Sequence, residues 1–125
     1  MTARLRADIW VDAYMRRVRI EGGFAYLSRR GEASAGSILV RVEDGARQAT
    51  VYSPGYAPGE VAEQAVSRGL RTWLRSTGPE PVPATQADDY IRRRLATDPD
   101  LWVVEVEDRM GRHFLGEPVE GEDFG

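Results

Sequence analysis

Five carboxylates surround a short apolar run in the stretch DPDLWVVEVEDR, which extends from Asp98 to Arg109. Magnesium needs only one or two carboxylates together with water, so Glu105, Glu107 and Asp108 are candidate ligands of a metal-assisted hydrolase. The stretch resembles a nuclease pattern of an acidic residue followed by Glu-x-Lys, but Glu107 stands where the lysine belongs. Carboxylates are also common at the ends of buried strands, and we prefer this second interpretation.

A second candidate surface is the alternating stretch GLRTWLRSTGP. In a strand, Arg71, Trp73 and Arg75 would share one face. An aromatic ring between phosphate-binding guanidinium groups is typical of proteins that bind single-stranded nucleic acids. The alternative is an exposed sheet face on which arginine stems shield the tryptophan. We favour this alternative because the chain has a net charge of −3 and no long basic stripe.

Several other chemistries have weak support or none. The chain contains neither cysteine nor lysine, which excludes thiolate metal sites, thiol nucleophiles and Schiff bases. Gly31 and Gly36 are spaced like the glycines of a phosphate-binding loop, but Ser37 and Ile38 stand where Lys and Ser/Thr are required. The spacing therefore predicts a turn, and no cofactor is expected.

Alternating apolar residues predict the strands that would carry these side chains. The predicted strands cover 5–11, 24–29, two segments flanking Asp44-Gly45, 70–75 and 101–107. Asp-Gly between two alternating runs is a strong hairpin signal. A turn over 108–111 would pair strand 101–107 with the residues after it. The only histidine, His113, would then lie on the apolar face of that strand, opposite Glu105 and Glu107, as a structural residue.

Helical spacing appears in two places and weakly in a third. Val11, Tyr14, Met15 and Val18 recur at intervals of three and four residues before the sequence EGG. The second helix is predicted to open at Thr85, with Asp88 completing a capping box, and to end at Asp98-Pro99. A short third helix over 60–66 would follow a loop rich in proline and glycine.

The length and composition predict one ordinary domain. The chain has 125 residues, of which 42% are hydrophobic and 30% charged, values typical of a folded protein. Residues 1–115 are assigned to a single domain. Residues 116–125 contain four acidic residues and no basic ones, which predicts a flexible acidic tail. No apolar run is long enough to span a membrane, so a cytoplasmic protein is expected.

The quoted stretches also carry a family resemblance. RRGEASAGSILVRV in the first half, and TGPEP with DPDLWVVEVEDRMGRHFL in the second, resemble a small bacterial family known as domain of unknown function 1491. The resemblance covers most of residues 4–118 and excludes the segment from Pro54 to Gly69. It implies a single cytoplasmic domain, and it supplies no activity or catalytic residues.

These observations predict an α+β fold with a mainly antiparallel sheet of five to seven strands and two helices packed on one face. The favoured function is a non-catalytic interaction module with an unknown protein partner. It could also self-associate as a homodimer through a sheet edge or a tryptophan face. Nucleic-acid binding through Arg71, Trp73 and Arg75, and metal-assisted hydrolysis, are the two alternatives.

Overall fold

Residues 3–55 and 59–123 are described by a computed structural model, in which they form three helices and six strands. In chain order these are α1 (Ala7–Ile20), β1 (Phe24–Arg29), β2 (Ile38–Glu43), β3 (Gln48–Pro54), α2 (Gly59–Ser67), β4 (Trp73–Arg75), β5 (Val82–Pro83), α3 (Ala84–Thr97) and β6 (Trp102–Glu107). No helix in these ranges is long and apolar enough to cross a membrane.

The six strands form one sheet in the order β1-β6-β2-β3-β4, and β5 pairs with part of β3. All neighbours are antiparallel except β2 and β6, which run parallel. Parallel neighbours need a long crossover connection, and here the chain between them contains β3, β4, β5 and two helices. The predicted α+β class and mainly antiparallel sheet are confirmed.

The helices differ from the prediction in placement. Helix α1 packs with Val40 and Val104, whereas α3 packs with Leu39 and Val103. Because successive residues of a strand point to opposite faces, α1 and α3 lie on opposite faces of the sheet. The short third helix predicted over 60–66 is confirmed as α2, in addition to the two helices that were expected to pack on one face of the sheet.

The strand predicted over 5–11 is wrong, because helix α1 begins at Ala7. Ala7, Trp10 and Val11 are buried, as the three- and four-residue spacing of a helix requires. Leu5 and Ile9, the alternate apolar residues that suggested a strand, are about half exposed at 48% and 50%. The short alternating run was therefore the first part of a longer helical pattern.

The Asp44-Gly45 hairpin is confirmed, since β2 and β3 pair across this turn. The Asp44 carboxylate accepts hydrogen bonds from the backbone amides of Ala46 and Gln48, at 2.8 and 3.1 Å. Such local side-chain bonds stabilise turns. The capping box predicted for α3 is absent, because no side chain caps the helix and Asp88 instead contacts Arg41 of β2 at 2.9 Å.

Strand β6 is confirmed, but the hairpin predicted after it is wrong. Its neighbours are β1 on one side and β2 on the other, so residues 112–115 do not pair with it.

The two glycines of the predicted turn, Gly31 and Gly36, allow the loop between β1 and β2 to pack closely against another segment of the chain. A Cβ atom added at Gly31 or Gly36 would lie 2.2 or 2.4 Å from the carbonyl oxygen of Asp100. This proximity allows the loop to cross the start of β6.

The acidic C-terminal segment also differs from the prediction. Its described part, 116–123, lies against the sheet instead of extending into solvent as a flexible tail. Glu117 and Val119 are 8% and 4% exposed. The amide of Trp73 donates to the carbonyl of Pro118 at 2.9 Å, and the amide of Glu120 donates to the carbonyl of Trp73 at 2.8 Å. These bonds line the segment up along β4.

Candidate functional site

The first predicted site, Arg71 with Trp73 and Arg75, does not form an exposed stacking surface. Trp73 is 1% exposed, and its indole Nε1 donates to Glu117 at 2.9 Å. Trp10 of α1 donates to the same carboxylate oxygen at 3.1 Å. A ring that is buried between a helix and a sheet cannot stack on a nucleic-acid base, so this face lacks the platform that the hypothesis requires.

The two arginines of that set are also engaged within the protein. The backbone amide of Arg71 donates to Glu117 at 3.0 Å, and its guanidinium lies 5.7 Å from the ring centre of Trp10. Arg75 donates to the carbonyl of Glu120 at 2.9 Å and pairs with the carboxylate of Glu122. The sequence analysis missed Glu117, which joins α1, β4 and the C-terminal segment, because a glutamate between Gly and Pro carries no periodic signal of burial.

The second predicted site, Glu105 with Glu107 and Asp108, is divided among different partners. Glu105 lies 3.5 Å from Arg41, which is also 2.9 Å from Glu43 and 2.9 Å from Asp88. Burial lowers the pKa of Arg41, but these three carboxylates together hold that pKa above its ordinary value. The cluster thus places three carboxylates around a buried guanidinium and offsets its charge, as a buried charge requires.

Glu107 and Asp108 have different surroundings. Glu107 is exposed at the end of β6. Asp108 is buried and accepts three bonds from Arg112, one from the backbone amide at 2.8 Å and two from the guanidinium at 3.1 and 2.8 Å. These bonds to Arg112 hold the pKa of the Asp108 carboxyl below its usual value. Among residues 3–55 and 59–123, no three metal-binding side chains come together as a metal site would require.

The histidine also has a different position from the expected one. His113 lies outside the sheet, with its Nε2 at 3.0 Å from Glu122, and its ring meets the ring of Tyr52 edge-on. Its Nδ1 accepts a hydrogen bond from the amide of Leu115 at 3.0 Å. These contacts fix the C-terminal segment, so the structural role predicted for His113 agrees with this arrangement, although the strand that should have carried it is absent.

The outer edge of β1 is an open edge of the sheet, because within the described chain β1 pairs only with β6. Phe24 and Tyr26 are 57% and 40% exposed, and their ring centres lie 5.8 Å apart. Both residues lie on the α3 side of the sheet, opposite Glu107 and Glu105 of β6. Partial burial and these two carboxylates raise the pKa of Tyr26 above its ordinary value.

A groove runs beside this aromatic pair, because α3 covers β2 and β3 but does not reach β1. Its volume is about 370 Å³, and its walls include Ile91 and Leu95 of α3, Val103 and Glu105 of β6, and Ser28 of β1. Large exposed aromatic residues next to a groove are typical of interaction surfaces. The edge of β1 with Phe24 and Tyr26 is therefore the candidate functional site.

The chain can now be compared with known proteins. The sequence profile of DUF1491, described as a protein of unknown function, matches residues 5–116. The chain belongs to the DUF1491 family. The match includes both predicted sites and the whole of β1. No curated protein matches the chain.

Solved structures of similar proteins share this fold. A crystal structure of a DUF1491 family protein from Caulobacter crescentus CB15 is 39% identical over 93% of this chain and 99% of that chain, with a TM-score of 0.75. An NMR structure of a DUF1491 family protein from the same organism is 38% identical over 96% and 100%, also with a TM-score of 0.75. A solution structure of a protein from A. tumefaciens is 29% identical over 98% and 99%, with a TM-score of 0.73. The DUF1491 chains therefore match nearly their full length.

Proposed function

We propose that this DUF1491 protein is a non-catalytic interaction module that associates with a second copy of itself through the outer edge of β1. The observation that carries the proposal is the exposed aromatic pair, Phe24 and Tyr26, on a sheet edge with no neighbouring strand in the described chain. Edge strands present backbone donors and acceptors that can pair with another strand. Antiparallel addition of a second β1 would extend the sheet across both copies.

The sequence of β1 complements itself in one antiparallel register. A twofold axis centred on Ala25 places Phe24 of each copy opposite Tyr26 of the other. The carbonyl oxygen of Ala25 points away from β6, because it accepts a hydrogen bond from Arg19 at 2.9 Å. The amide of Ala25 points the same way in an antiparallel strand, so the amide is placed to pair with the second copy, whereas the carbonyl can pair only when Arg19 releases it.

The association is expected to be weak, because a single pair of strands buries a small surface. Each aromatic pair across the two strands contributes about 0.5–1.5 kcal/mol beyond the area that it buries. The register contains two such pairs, related by the twofold axis. We therefore expect a dissociation constant of about 10–100 µM, which falls within the range of transient interactions.

The experiment is sedimentation analysis of the full chain over a concentration series, with two double variants. Phe24→Glu with Tyr26→Glu places carboxylates opposite each other and should weaken dimerisation by about tenfold or more. Phe24→Arg with Tyr26→Glu places opposite charges together in the proposed register and should restore much of the loss. In both variants the new side chains also face Glu107 and Glu105 of β6, so circular dichroism of the dilute monomer must match that of the unmodified chain before the association is compared.

The control is Val66→Glu, which places a charge on an exposed apolar residue of α2 (58% exposed). It should dimerise like the unmodified chain. A monomer throughout the concentration series would contradict the proposal. Equal dimerisation by the two double variants would contradict the proposed register.

A bacterial origin and a cytoplasmic location complete the proposal. The bacterial origin is supported by the relatives from Caulobacter crescentus and A. tumefaciens. Fractionation of bacterial cells expressing the full chain tests the location. Recovery of the protein in the cytoplasmic fraction is the expected result, and recovery with membranes or the periplasm would contradict it.

A further inference from the structure

A small recess lies at the end of the sheet near the start of β2, away from the edge of β1. Its volume is about 90 Å³, and its walls include Arg4, Gly36, Ser37, Gly55 and Arg71. A single water molecule requires only about 10–15 Å³ of such volume. The recess is therefore large enough for a group of several heavy atoms. Its wall includes Gly36, the second of the two glycines whose spacing is like that of a phosphate-binding loop.

The guanidinium of Arg71 is incompletely bonded. Arg71 is 8% exposed, and its Nη2 donates to the carbonyl of Leu5 at 3.0 Å. Its Nη1 is buried and has no hydrogen-bond partner among the described residues. A buried donor without an acceptor is costly, and an unfilled bond of this kind can mark the position of an ion or water.

The charges around the recess do not balance. Arg4 is exposed at the rim, and Arg71 lies in the wall, so two arginines and no carboxylate are among the described residues that line the recess. A carboxylate that acts on Arg71 from outside the recess is that of Glu117. This carboxylate is already bonded to two indoles and to a backbone amide. Burial and the charge of Arg4 lower the pKa of Arg71, and Glu117 opposes them. The other nearby acid, Glu32, binds the amides of Ser34 and Ala35.

We infer that this recess binds a small oxyanion of the phosphate class, held between the guanidinium groups of Arg4 and Arg71. The spare positive charge attracts the anion, and guanidinium groups match the geometry of phosphate oxygens. The site does not involve β1 and is independent of the proposed self-association.

The experiment is a titration of the full, isotope-labelled chain with inorganic phosphate at constant ionic strength, followed by NMR. We expect saturable shifts of the Arg71 side-chain signal and of the amides of Gly36, Ser37 and Gly55, with half-saturation at or below about 10 mM. Parallel titrations with phosphoserine and with acetate separate a free phosphate, an esterified phosphate and a carboxylate. Stronger binding of phosphoserine would identify a phosphate ester as the ligand, whereas stronger binding of acetate would overturn the phosphate class.

Arg4→Gln tests the assignment without disturbing the buried network, because Arg4 is exposed. It should weaken phosphate binding at least about threefold. The matched control is Arg93→Gln, which removes the same charge from the exposed face of α3 and should leave the affinity unchanged. Absence of saturable shifts, or an equal loss in both variants, would overturn the inference.

Discussion

The two edges of the sheet differ in whether another segment of the chain covers them. At β4 the chain covers its own edge, because residues 118–120 bond to Trp73 and the neighbouring Glu117 anchors two buried indoles. At β1 the edge has no covering segment in the described chain, and Phe24 and Tyr26 remain exposed. One edge is therefore closed by intramolecular bonds, whereas the other is available to a partner.

The contrast shows how the acidic C-terminal segment can form a stable part of the fold. A buried carboxylate is tolerated only where hydrogen bonds compensate for its lost hydration. Glu117 accepts bonds from Trp10, Trp73 and the amide of Arg71, so this condition is met.

The edge of β1 has only partial protection, since Arg19 covers the carbonyl of Ala25 and a bulge interrupts the pairing near Ser28. Charged side chains and bulges commonly blunt open edges.

The largest loss of stability is expected when the contacts that close the edge at β4 are removed. Glu117→Ala removes the acceptor shared by Trp10, Trp73 and the backbone amide of Arg71. It also removes a negative charge that acts on the buried guanidinium of Arg71. The free energy of unfolding should fall by about 3 kcal/mol, measured by urea denaturation. Glu120→Ala is the control, because this neighbouring carboxylate is exposed, and it should change the stability by less than about 0.5 kcal/mol. Equal effects of the two variants would show that Glu117 does not anchor the edge.

A smaller effect is expected beside the open edge, at the end of β6. Asp108→Asn removes charged bonds to Arg112 and should lower the free energy of unfolding by about 1–2 kcal/mol near neutral pH, since Arg112 is partly exposed. The pKa of Asp108 is lower in the folded state, so its stabilisation is present above its unfolded pKa of about 3.9 and is lost as the pH falls through the folded value. The difference between the two proteins should therefore be constant from about pH 5 to 8 and shrink below about pH 4. A difference that does not change with pH would contradict this role.

The smallest effect concerns the partial protection of the open edge. Arg19→Ala frees the carbonyl of Ala25 and should tighten self-association by about threefold, because a surface bond of this kind contributes less than about 1 kcal/mol. Sedimentation of this variant beside Arg16→Ala, a neighbouring exposed arginine, measures the effect. Weaker association of Arg19→Ala would show that the side chain assists the contact instead of limiting it.

Local patterns were sufficient to predict much of the sheet. Strands β1, β2, β3 and β6 follow from alternation and from the Asp44-Gly45 turn, which are properties of neighbouring residues. The placement of β6 between β1 and β2 could not be predicted, since it depends on contacts between distant segments. The start of α1 was wrongly predicted as a strand, because a few alternating residues fit both the two-residue period of a strand and the 3.6-residue period of a helix.

The candidate site was predictable only in general terms. A sheet edge was named as one surface for self-association, but the sequence alone did not identify which strand lies at an edge. The burial of Trp73 could not be predicted, because it requires Trp10 from α1 and Glu117 from the C-terminal segment. These three residues are far apart in the chain, and no local spacing connects them.

The most direct test of the contrast between the edges is amide hydrogen exchange by NMR at two protein concentrations. If the edge at β4 is closed within the chain, the Trp73 amide, which is bonded to the carbonyl of Pro118, should exchange slowly at both concentrations. The Ala25 amide should exchange rapidly in dilute solution and become protected at concentrations above about 100 µM. An Ala25 amide that exchanges rapidly at both concentrations, or a Trp73 amide that exchanges as rapidly as Ala25, would contradict the account.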